Sequence, residues 1–148
     1  MHKVETLGRH ILVEYYNCDP EVLKDPKFIE QSMNEAALEA KATIVESVFH
    51  HFNPWGVSGA VIVAESHLTI HTWPEYGFAS ADFFTCGDID PWASFEYLEK
   101  LLKSEFSESI EIPRGLTSKI HKHSKTELGN ISHKPQEEIE VTTETASA

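Results

Sequence analysis

Four strand-like segments follow one another between Thr43 and Cys86, and this run constrains the fold more than any other part of the chain. Thr43 to Phe52 is β-branched and aromatic, and Asn53-Pro54 with Gly56 breaks it. Val57 to Ala64 is short and almost wholly apolar, and Leu68 to Trp73 is another such run, closed by Pro74-Glu75-Tyr76-Gly77. Phe78 to Cys86 forms the next strand and ends at Gly87-Asp88. Connections this short join strands as hairpins. Upstream, residues 8–16 set Ile11, Val13 and Tyr15 against Leu12 and Tyr16, a strand with one side buried. Ser109 to Ile112 is read as a last strand.

Two segments carry a helical period instead. Asp25-Pro26 has the form of an N-cap followed by proline at the first helical position, and Ile29, Met33, Ala36 and Ala40 then recur on one face to about Ala42. Asp90-Pro91 repeats the device before Trp92, Phe95, Leu98, Leu102 and Phe106. Strands outnumber helices, which predicts an α+β fold: a two-layer sandwich with a mainly antiparallel sheet and both helices packed on one face. The 148 residues suit one domain, placed at residues 1–118. After Arg114 the apolar pattern collapses, and residues 119–148 are read as a polar, disordered tail.

Composition removes several classes of function. The formal net charge is -12, and residues 1–118 hold 19 acidic against 8 basic side chains, so no nucleic-acid partner is expected. The acidity keeps a chain soluble and is also compatible with a cationic ligand. No apolar run is long enough to span a bilayer and the N-terminal residues lack a signal-peptide pattern, so no membrane partner and a cytoplasmic location are expected. Cys18 and Cys86 read as reduced thiols rather than a disulfide framework. No metal is expected. His50 and His51 are adjacent on a strand and face opposite sides, and His121, His123 and His133 lie in the tail without cysteine partners.

The chemistry concentrates between Glu65 and Gly87. Taken singly, these residues are ordinary: His71 reads as a core histidine, Cys86 as a small buried hydrophobe, Phe52 as core, His67 and Trp73 as packing or substrate-edge residues. Together they offer more. A serine follows a glutamate at the end of an apolar run, a histidine lies five residues on, and a cysteine closes the next run. Ser66 Oγ can attack the carbonyl of Glu65 and turn the amide into an ester, with the entropy cost largely met because both groups share one chain. Removal of the Ser66 α-hydrogen then expels the ester by β-elimination. The dehydroalanine left behind hydrolyses to a pyruvoyl group, and the products are residues 1–65 and 66–148. Along an unbroken strand His71 has the opposite parity to Ser66, so a bend or bulge between them, or a serine in a loop, is expected.

The stretches TLGRHILVEYYNCDP, ATIVESVFHHF, PWGVSGAVIVAESH, ESHLTIHTWPEYGFASADFFTCG and DIDPWASFEYLEKLLKSEF resemble the small prokaryotic S-adenosylmethionine decarboxylase proenzymes over roughly residues 6–106. The resemblance implies a self-made pyruvoyl cofactor in place of pyridoxal phosphate. Its ketone forms a Schiff base with the substrate amine and draws electrons as carbon dioxide leaves, yielding decarboxylated S-adenosylmethionine for spermidine synthesis. By the same resemblance His71 is the proton acceptor in processing, Ser58 assists it, and Cys86 is the proton donor in decarboxylation. Glu75 matches a glutamate that binds the ribose hydroxyls, and Phe52 an aromatic that stacks on adenine. Asn53 and Trp55 stand where the family carries an apolar residue and a tyrosine. A homodimer of cleaved protomers, paired through their sheets, is implied as well. Two other readings are open: a pyruvoyl-dependent arginine or ornithine decarboxylase, and an unprocessed binding or regulatory subunit.

Overall fold

In a computed structural model, which describes residues 3–125, 139–140 and 143–147, every strand pairing is antiparallel. In chain order the strands are β1 (Lys3–Val4), β2 (Thr6–Tyr16), β3 (Ile44–His51), β4 (Val57–Val63), β5 (Ser66–Trp73), β6 (Phe78–Thr85), β7 (Phe106–Leu116), β8 (Ile139–Glu140) and β9 (Thr143–Ser147). β3 to β6 form three consecutive hairpins, and the large sheet runs β3-β4-β5-β6-β2-β7-β9. β1 and β8 make a separate two-stranded pair.

The helices are α1 (Pro20–Leu23), α2 (Pro26–Glu39), α3 (Pro91–Leu101) and α4 (Thr117–His123). Asp25 caps α2 as its sequence suggests, its carboxylate accepting from the Phe28 N–H at 3.2 Å. Ile29, Met33, Ala36 and Ala37 of α2 and Phe95 and Leu98 of α3 are buried against Ile11, Val13, Tyr15, Val61, Leu68, Ile70 and Phe83 of the sheet. This is the expected two-layer α+β sandwich. Two hydrogen bonds pin it from within: Ser94 Oγ–H to the Ala36 carbonyl at 2.5 Å, and Tyr15 O–H to the Phe95 carbonyl at 2.8 Å.

Several boundaries move. Phe106 begins β7 rather than ending the second helix, and β7 spans 11 residues where only Ser109 to Ile112 was expected. Its core-side residues Ser107 and Glu111 are polar, which hides the alternation, and Glu111 is buried because Arg9 of β2 pairs with it. α1 is a single turn, too short to show a period, yet Asp19 caps it through the Glu21 N–H at 3.0 Å. Helix α4 and strand β9 lie at or beyond the division read at residue 118. α4 crosses the expected boundary at 118, and β9 pairs with β7 from Phe106↔Ser147 to Ile110↔Thr143. The open edge of β7 accepts an extended partner, and the β-branched Thr143 and Thr145 suit a strand. His133 lies outside the described residues.

The opposite face of the sheet carries no helix. Ile62, Ile110, Ile112 and Trp73 stand on it at 38–43% exposure, among polar side chains that include Ser58, His71 and Asp82. The face is therefore a mixed apolar and polar surface in the isolated chain.

Candidate active site

Ser66 opens β5 directly after the two-residue turn Ala64–Glu65. Its φ is 142°, a region that side chains rarely occupy, so the backbone is strained at the residue after the turn. The turn is clamped on two sides. The Ala64 N–H reaches the Thr43 carbonyl at 2.8 Å, and the Thr43 N–H donates to Glu65 Oε1 at 2.9 Å. Gly87 makes room for this glutamate, since a Cβ there would lie 2.5 Å from Glu65 Cγ.

Cys86, just past β6, meets the same turn. Its N–H donates to the Glu65 carbonyl oxygen at 2.9 Å, and its Sγ–H to the same oxygen at 3.3 Å. Ser66 Oγ lies 3.8 Å from Cys86 Sγ. The Glu65 carbonyl, the one a Ser66 attack would reach, thus already accepts two bonds, as an oxyanion position requires. The thiol is exposed and reachable.

The other site residues lie at the far end of the same strands. Ser58 on β4 faces His71 on β5, with Ser58 Oγ 2.8 Å from His71 Nδ1. Phe52 follows β3 and packs edge-on against His50 with ring centroids 4.4 Å apart. Glu75 lies in the 3₁₀ turn Pro74–Tyr76 immediately after β5, exposed to solvent. Beside it is a cavity of about 360 Å³ lined by Tyr16, Trp73, Tyr76 and Phe78. Three of these, Tyr16, Tyr76 and Phe78, lie within the family-like stretches but carry no site role in the sequence alone. The signal available was the spacing of Trp73 and Tyr76 across a tight turn.

The expected bend between Ser66 and His71 is absent. β5 pairs in unbroken register with both neighbours, from Ser66↔Thr85 to Trp73↔Phe78 on β6 and from Ser66↔Val63 to His71↔Ser58 on β4. Two long ladders leave no slack for an extra residue. Five residues of strand separate Ser66 from His71, about 16 Å at roughly 3.3 Å per residue. The residues therefore form two half-sites: Glu65, Ser66 and Cys86 at one end, and Ser58, His71, Phe52 and Glu75 at the other.

Comparison with known proteins points to one family. A family model described as S-adenosylmethionine decarboxylase matches residues 9–115. The chain is 55% identical over 118 residues to the S-adenosylmethionine decarboxylase proenzyme of Thermosipho melanesiensis, covering 79% of this chain and 91% of that protein. It is 49% identical over 136 residues to the proenzyme of Fervidobacterium nodosum, covering 86% and 99%. The crystal structure of the adenosylmethionine decarboxylase from Aquifex aeolicus superposes with a TM-score of 0.70 at 34% identity, over 76% of this chain and 93% of that one.

Proposed function

The chain belongs to the S-adenosylmethionine decarboxylase family, and from that premise we propose how its residues share the work. It is a carboxy-lyase that converts S-adenosylmethionine to decarboxylated S-adenosylmethionine and carbon dioxide for polyamine synthesis, and it is made as a proenzyme. The arginine and ornithine reading and the regulatory-subunit reading are not favoured by these relatives. The family is pyruvoyl-dependent. No helix among the described residues is long and apolar enough to cross a membrane, and the proposed setting is the cytoplasm.

Cleavage falls between Glu65 and Ser66. The observation that carries this reading is the Glu65 carbonyl oxygen held by the Cys86 N–H and Sγ–H beside Ser66 Oγ. Attack by Oγ puts negative charge on that oxygen, where both donors stabilise it, and the strained φ at Ser66 raises the energy of the starting amide. The C–N bond breaks, the amine takes a proton, and an ester remains. A base then takes the α-proton, the Glu65 carboxylate leaves with the serine oxygen, and hydrolysis releases ammonia to leave the ketone at residue 66. Once present, the ketone supplies an electron sink for loss of the substrate carboxylate. The residues fit it. The Cys86 thiol stands next to position 66 to give a proton, and Glu75 with the aromatic cavity suits a nucleoside bearing a cationic sulfonium.

The length of β5 argues for a base from a second protomer. His71 carries the imidazole that such a proton transfer calls for, and Ser58 orients its ring, yet it lies about 16 Å from its own Ser66 at roughly 3.3 Å per strand residue. We therefore place His71 and Ser58 of one copy against Ser66 and Cys86 of a second, in a homodimer joined through the helix-free sheet faces. Exposed Ile62, Ile110 and Ile112 give that face apolar area to bury.

Intact mass under denaturing conditions tests the cleavage: two fragments meeting at Glu65–Ser66 support it, and a single stable 16.7 kDa chain refutes it. Mixing tests the dimer. Ser66→Ala and His71→Ala proteins are each expected to stay uncut alone. Mixed, the His71→Ala chain is expected to be cut by the histidine of the other copy. No cleavage in a mixture shown to form heterodimers would mean that the base acts within one chain.

A further inference from the structure

His67, the residue after the cleavage serine, turns its ring to the helix-free face and into a cluster that neither cleavage nor decarboxylation has so far used. Asp82 of β6 is its hub. Thr69 Oγ–H of β5 donates to Asp82 Oδ1, and His10 Nε2 of β2 pairs with Asp82 Oδ2. His67 Nε2 lies 3.6 Å from the same Oδ2. Arg114 of β7 closes the cluster, its Nη1 donating to His10 Nδ1 at 2.9 Å and its guanidinium lying over Phe84, 5.4 Å from the ring centroid. The His67 ring packs against Phe84 at 5.8 Å and His10 at 6.1 Å between centroids.

His10, His67 and Asp82 have the composition of a metal site, with ligand atoms within 4.8 Å of one another. The hydrogen bonds argue otherwise. Arg114 has only donors, so His10 Nδ1 accepts and the proton of the neutral ring sits on Nε2, pointing at Asp82. A metal would need that nitrogen bare and would stand beside a guanidinium. The network is complete without one.

What it holds is the start of β5. Cleavage at Glu65–Ser66, the reading on which this inference rests, cuts one of the two covalent tethers of residue 66. Conversion to a ketone also removes that residue's amide N–H and its place in the ladder. Its remaining covalent link is to His67. We propose that the Asp82-centred cluster is an anchor for the new chain end, fixing His67 and through it the carbonyl at position 66 against Cys86. These are positioning residues: they touch the reacting atoms only through the backbone of residue 67. A misplacement of about 1 Å at such a centre is costly in rate.

The anchor matters only after the cut, and that distinguishes it from an ordinary structural cluster. Asp82→Asn is made in the native chain and in an uncleavable Ser66→Ala chain. Hydrogen exchange of the amides of residues 67–69 is then followed by mass spectrometry, with intact mass read on the same samples. In the cleaved protein, exchange there is expected to quicken about tenfold, with kcat falling about tenfold and KM little changed. In the Ser66→Ala background exchange is expected to stay near that of Ser66→Ala alone. His67→Phe, which keeps a ring on Phe84 but loses Nε2, is expected to behave as Asp82→Asn does and serves if the latter fails to fold. Equal quickening in both backgrounds, or none in the cleaved protein, overturns the anchor. So does a folded variant that stays uncut, since the cluster would then belong to cleavage. A native chain that stays whole overturns the anchor and the cleavage reading together, and its mass identifies that case.

Discussion

The two cysteines show how far environment separates identical side chains. Cys18 is buried, and burial pushes its thiol up to about 11, partly opposed by a hydrogen bond with Ser104. Cys86 is exposed beside the Ala64–Glu65 turn. Because the thiolate is the nucleophile, iodoacetamide at pH 8 is expected to modify Cys86 and leave Cys18 untouched in the native protein, read by peptide mass. Labelling of Cys18 first would mean its burial is not maintained in solution. At this scale the sequence was informative about identity and silent about distance. Ser66, His71 and Cys86 stood out together because a motif carries them. The parity of Ser66 and His71 warned that they face apart, but neither resolution expected is adopted: there is no bend or bulge between them, and Ser66 is the first residue of β5 rather than a loop residue. Uninterrupted pairing on both sides of β5 keeps them apart.

Between elements, small residues set the spacing. Gly59 of β4 lies opposite Phe49 of β3, and a Cβ there would come within 1.9 Å of Phe49 Cδ1. Gly59→Ala must push the ring off the strand next to Ser58. A loss of about 1–3 kcal/mol in denaturant unfolding is expected, with cleavage slowed as Ser58 shifts; an unchanged midpoint would show that the ring moves freely. Helices α2 and α3 are tied at their rims by the Tyr97 hydroxyl on Glu35, which holds the Glu35 carboxyl below its ordinary value and the tyrosine above its own. The depressed carboxylate contributes stability above the ordinary glutamate range and loses it as pH falls through its folded value. The raised phenol contributes below its ordinary value near 10 and loses it as pH rises through its folded value. Thermal melts of Tyr97→Phe should therefore differ most from the native protein near neutral pH, with the gap closing on both sides; a gap that grows in acid would refute the assignment. Helix starts were legible because Asp-Pro pairs mark them. The length of β7 was not, because Ser107 and Glu111 put polar groups on its core side, and the pairing that makes Glu111 tolerable comes from Arg9, 102 residues away in sequence.

For the molecule as a whole, the order β3-β4-β5-β6-β2-β7-β9 fixes what cleavage does. The cut proposed at Glu65–Ser66 would fall between β4 and β5, neighbours inside the sheet. Residues 1–65 then own β2, β3 and β4, and residues 66–148 own β5, β6, β7 and β9. β2 from the first fragment lies between β6 and β7 of the second. Neither fragment could then leave without breaking a ladder, so a mature enzyme cut there would be two chains in one fold. The precursor folds as a single polymer, whereas the mature form, once unfolded, must find its other half by diffusion. Refolding from denaturant is expected to be independent of concentration for Ser66→Ala and second order for the cleaved protein, at dilutions where dimerisation is not limiting. Identical kinetics for both would mean that the fragments fold independently and then dock quickly. Maturation by that cut would turn a reversible folding equilibrium into an assembly with memory: the sheet would be built once, while the chain is whole, and the finished enzyme would persist through the slowness of its unfolding.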